Sequence, residues 1–119
     1  MIEQYEIEEI KEAVNMLSKE RHKHNEENKE ERTRIAKKLA EIVDREIERG
    51  TPYATILSAI LDVYSSTLIC ILKDHKRKHN TTKEGLKRLA LVWMISDSSL
   101  HYSYLCDFLD TTMEVDDYE

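Results

Sequence analysis

Apolar residues return at spacings of three and four at Ile7, Ile10, Val14 and Leu17, the period of an α-helix with one face turned inward. Glu and Lys fill the opposite face. The stretch 18–34, "SKERHKHNEENKEERTR", has good helix formers but no apolar stripe, and reads as a polar helical extension or a mobile connection. The stripe resumes at Ile35, Leu39, Ile42, Val43 and Ile47, a second amphipathic helix. Gly50 is placed to end it, and "GTP" predicts Thr51 as the next N-cap with Pro52 in the first helical position.

The third segment, 52–78, is apolar over "YATILSAILDVYSSTLICIL", close to the roughly 20 residues that span a bilayer. Thr55, Ser58, Asp62, Ser65 and Ser66 nevertheless share one narrow stripe, for which a lipid-facing helix has no use. The reading taken is a central helix of a soluble protein, nearly surrounded by its neighbours, with no membrane. A fourth helix follows over 82–110, with Thr81 and Glu84 in capping-box spacing. Leu86, Leu89, Ala90, Trp93, Leu100, Tyr104 and Phe108 line its expected core face, and Arg88, Ser96, Ser99, Ser103, Asp107 and Asp110 a polar strip. The acidic end, 111–119, is expected to fray.

The predicted fold is all-α: one domain over 1–119, four-helix-bundle-like, with two long apolar helices and two shorter amphipathic ones. Two glycines and one proline in 119 residues leave too little turn punctuation for an all-β chain. The long helices carry more apolar surface than a small monomer hides, which predicts a homodimer built on them. Leu91, Ile95, Tyr102 and Leu109 are its candidate interface residues.

Composition adds a setting. Cys70 and Cys106 lie in apolar runs and read as small buried hydrophobes in a reducing compartment. The acidic start "MIEQYEIEEIKE" lacks the form of a secretory signal, so a cytoplasmic protein is expected. Gln4 is the one glutamine among abundant Glu and Lys, a balance that leans toward proteins of hot environments.

The formal net charge is -6, yet the stretch 73–88, "KDHKRKHNTTKEGLKR", gathers Lys73, Lys76, Arg77, Lys78, Lys83, Lys87 and Arg88. These cations either complement the third helix's dipole and keep a turn in water or grip nucleic acid or another polyanion. His75 and His79 stand one helical turn apart, a spacing that can share a metal, but spacing supplies no third ligand, and the dipole explains them as well. Asp97 falls on the apolar face with His101 one turn on, which predicts a buried polar pair fixing helix register. Glu9 with Glu12 and Glu41 with Asp44 resemble the ExxE and ExxD pairs of the all-α nucleotide pyrophosphatases, a resemblance that implies Mg²⁺-dependent hydrolysis of a nucleoside triphosphate. Both pairs face away from the apolar stripes of their own helices, whereas catalytic carboxylates look into a cleft.

The expectation is therefore a non-enzymatic interaction module, a small subunit, adaptor or regulator acting on an unidentified protein partner. No catalytic residue, metal ligand or cofactor is assigned. Polyanion binding at 73–88 is the alternative, and pyrophosphatase-like activity the remote one.

Overall fold

The structure is a computed structural model that describes residues 4–112. It is all-α, as expected: α1 (Gln4–Glu27), α2 (Lys29–Glu48), α3 (Tyr53–His79) and α4 (Lys83–Thr112), with no strand among the described residues. The chain divides into two compact units, Met1–Lys19 with Lys87–Glu119, and Glu20–Leu86.

The stretch 18–34 is helical on both sides of Asn28. The Asn28 N–H reaches the His24 carbonyl at 2.9 Å and the Arg32 N–H reaches the Asn28 carbonyl at 3.0 Å, so helical bonding continues across this one non-helical residue. Glu, Lys and Arg are good helix formers and favour the helix through this stretch, in which Arg21 and Asn25 are half-buried.

In the second unit, α2 and α3 form an antiparallel hairpin across a four-residue turn. Gly50, with φ +85°, closes α2 in a Schellman motif: its N–H bonds the Ile47 carbonyl and the Thr51 N–H bonds that of Glu46, each at 3.0 Å. Thr51 is not the cap expected of it. Its hydroxyl donates to Glu46 Oε1 at 2.8 Å, and Pro52 stands at the N-cap with no side-chain bond. At the far end of α3, Asn80 takes the left-handed conformation and returns its N–H to the Lys76 carbonyl. Thr82, one residue beyond the expected Thr81, caps α4 by accepting the Gly85 N–H at 3.1 Å.

Burial departs most from expectation. In α3 only Ile56 and Leu68 are buried, so it is not the nearly surrounded helix its composition suggested. It is also the one helix among the described residues long and apolar enough to cross a membrane, judged by length and composition. Cys70 is exposed and Cys106 half-buried, neither a fully buried hydrophobe. Also within this unit, burial pulls the Arg21 guanidinium below its ordinary pKa, with Tyr64 acting against it, and burial raises the Tyr64 phenol, with Arg21 acting against that.

In the first unit, α4 buries Val92 and Ser96. Ser96 is 3% exposed, and its hydroxyl pairs with that of Ser18 at 2.8 Å. It belongs to the strip read as polar, while Leu100, Tyr104 and Phe108 of the expected core face are exposed. Glu6 faces Arg88 at 3.7 Å. The two contacts follow the same order along α1 and α4, so these segments run in the same direction.

Candidate functional site

The chain's largest uncommitted resource is apolar helix surface. No residue of α2 is buried, although its stripe is clean: Ile35, Leu39 and Ile42 are each about half exposed, at 49%, 50% and 49%. Leu39, Ile42 and Val43 with Ile56, Ile60 and Val63 of α3 line an open groove of about 440 Å³.

The first unit carries a second groove, of about 610 Å³, where Ile7, Ile10 and Val14 of α1 face Leu91, Ile95 and Ser99 of α4. Two of the four candidate interface residues, Leu91 and Ile95, lie in this wall. Tyr102 and Leu109 lie farther along α4, 70% and 49% exposed, in company with Met94 and Leu105, which are also exposed and were not singled out from the sequence. Their signal was there, since Leu105 stands three residues after Tyr102 and four before Leu109. A hydrogen bond with Cys106, then the charge of that thiol, then burial raise the Tyr102 phenol above its ordinary range.

The cations of 73–88 are partly engaged. In the second unit Lys73, Lys76, Arg77, Lys78 and Lys83 are exposed, but Asp74 accepts from Arg77 and sits 3.0 Å from Lys78. These bonds, Lys78 first and Arg77 next, hold the Asp74 carboxyl below its usual range. The His75 and His79 rings lie 4.6 Å apart between centroids, tilted by 39°. In the first unit Arg88 is engaged by Glu6, and Lys87 is exposed. An anion meeting Arg77, Lys78 or Arg88 competes with a carboxylate already in place.

Asp97 is half-buried, with its Oδ1 atom out of solvent, and His101 is exposed. Glu9, Glu12, Glu41 and Asp44 are all exposed. The first two lie in one unit and the last two in the other. Among the described residues no group of three or more His, Cys, Asp and Glu side chains could hold a metal ion.

No protein-family model, no curated protein and no solved structure matches the chain.

Proposed function

We propose that this chain is a non-enzymatic helical subunit that works through protein–protein contacts, and that its first partner is a second copy of itself. One observation carries the reading: α2 has an apolar stripe of helical period and no buried residue. A stripe of that regularity is costly to leave in water. Covering the open half of each of Ile35, Leu39, Ile42 and Ile47 yields about 2 kcal/mol apiece at roughly 25 cal/mol per Å², enough together to drive association. The exposed row on α4 adds to it. Contiguous apolar surface of this kind marks interaction sites in soluble proteins.

Light scattering of the purified chain in plain buffer tests the proposal. A dimer, or a larger closed assembly of the same chain, is the expected result. A monomer that keeps its helicity at micromolar concentration refutes self-association. A chain soluble only in detergent assigns the apolar surface of α3 to a bilayer instead.

A further inference from the structure

We propose that two copies pair through an antiparallel seam on α4, each copy laying Leu105 and Leu109 into the α1–α4 groove of the other and Tyr102 over the other's Ser98. The inference rests on the self-association proposed above and specifies the register of the exposed α4 row alone; the α2 stripe belongs to the other unit and is not part of this seam. Along α4 the residues Leu91, Ile95, Ser98, Tyr102, Leu105 and Leu109 follow one another at spacings of four, three, four, three and four. That is the heptad rhythm of a helix seam, and it keeps all six within one narrow face. The seam is open: Leu91, Tyr102, Leu105 and Leu109 are 41%, 70%, 57% and 49% exposed.

Direction follows from size and charge. With a two-fold axis at Leu100, Leu91 meets the partner's Leu109, Ile95 meets the partner's Leu105, and Ser98 meets the partner's Tyr102. Each layer then sets a large residue against a large one or the bulky Tyr over the small Ser, which fills space evenly. A parallel pair stacks Tyr102 on its own copy and Ser98 on its own copy, a crowded layer beside an empty one. It also gathers Lys87 and Arg88 of both chains at one end and Asp107 and Asp110 of both at the other, whereas antiparallel packing brings opposite charges and opposite helix dipoles together. In sequence Glu114, Asp116, Asp117 and Glu119 extend the acidic end.

About two and a half heptads are short for a free-standing coiled coil, and the groove makes up the difference. Leu91 and Ile95, the seam residues that form its wall with Ile7, Ile10 and Val14, are those that the axis sets opposite the partner's Leu109 and Leu105. The occupant and the groove therefore coincide twice, once per copy. With roughly 100 Å² available on each of Leu91, Met94, Tyr102, Leu105 and Leu109, the pair buries on the order of 1,000 Å² in total, the threshold of a biological interface and the size of weak, reversible ones.

The test is a register-reading cross-link in the full chain. Leu91→Cys and Leu109→Cys are introduced together after Cys70→Ser and Cys106→Ser remove the native thiols. The two new cysteines lie about 27 Å apart along one helix, too far to join within a chain. Mild oxidation followed by peptide mapping should give a covalent dimer whose disulfides join position 91 to position 109. Links of 91 to 91 and 109 to 109 overturn the antiparallel register. A dimer by scattering that forms no link overturns the seam while leaving self-association standing, and a monomer removes both. Circular dichroism of the reduced variant checks its helicity against the parent. If that variant does not fold, Ile95→Cys with Leu105→Cys reads the same register one layer inward, and failure to link 95 to 105 counts against the seam.

Discussion

Replacing an exposed serine should destabilise this protein more than replacing the buried serine it touches. Ser96 is 3% exposed and its hydroxyl has the Ser18 hydroxyl 2.8 Å away, while Ser18 itself is exposed. In Ser96→Ala one hydrogen bond is lost, worth about 1 kcal/mol, but the Ser18 hydroxyl turns to water and Ala improves helix propensity by about 0.5 kcal/mol. The net cost is about 0.5 kcal/mol. Ser18→Ala gains the same propensity but leaves a buried hydroxyl without that partner, at roughly 1–3 kcal/mol, so it costs about 0.5–2.5 kcal/mol. The double variant has nothing left to strand and gains the propensity twice, so it should lie near the parent. The coupling across the cycle is then about 1–3 kcal/mol, well outside the few tenths expected of independent sites. Urea unfolding followed by helical circular dichroism, at one fixed protein concentration, measures all four proteins. If Ser18→Ala is no worse than Ser96→Ala and the two effects simply add, the hydroxyl pair does not hold α1 against α4 and the account of this unit's packing is wrong.

Gly50→Ala should cost about 1–2 kcal/mol through backbone conformation alone, since φ is +85° and nothing lies within 4 Å of an added Cβ; a D-alanine introduced there by chemical synthesis should melt at least as high as the parent, and a destabilised D-alanine protein would refute the purely conformational cause. Asp74 has its carboxyl held low by Lys78 and Arg77, so its contribution to folding is present above the ordinary carboxylate pKa and is lost as pH falls through the lowered value. Helicity titrated from neutral pH to about pH 2 should show a smaller acid-side loss in Asp74→Asn than in the parent, and superimposable titrations would show that these ion pairs do not steady the end of α3.

The helices were legible because their causes are local. Spacings of three and four fix α1 and α2 without reference to anything distant, and Gly50 ends α2 because a left-handed residue suits glycine. Caps were less legible. Adjacent threonines at 81 and 82 both satisfy an N-cap preference, and the choice of Thr82 turns on which hydroxyl reaches the Gly85 N–H. Thr51 was lost to a competitor, the Glu46 carboxylate one turn back.

Faces were the hardest. Leu86 to Leu109 carries apolar residues on nearly every side, so periodicity alone names several possible core stripes. The structure settled the N-terminal half of α4 on Val92 and Ser96, a choice that a hydropathy pattern disfavours because it places a hydroxyl inside. It also left Tyr102, Leu105 and Leu109 in solvent, which directs attention to the heptad spacing within the same letters.

By itself, the sequence determined an all-α chain of four helices, the end of the second at Gly50, and that their apolar surface is large, because propensity, period and turn chemistry act over a few residues. Only the tertiary structure decided which of that surface is hidden and which is left for a partner. The reason is physical: burial depends on what lies opposite a side chain, and Ser18 stands 78 residues from the Ser96 it covers.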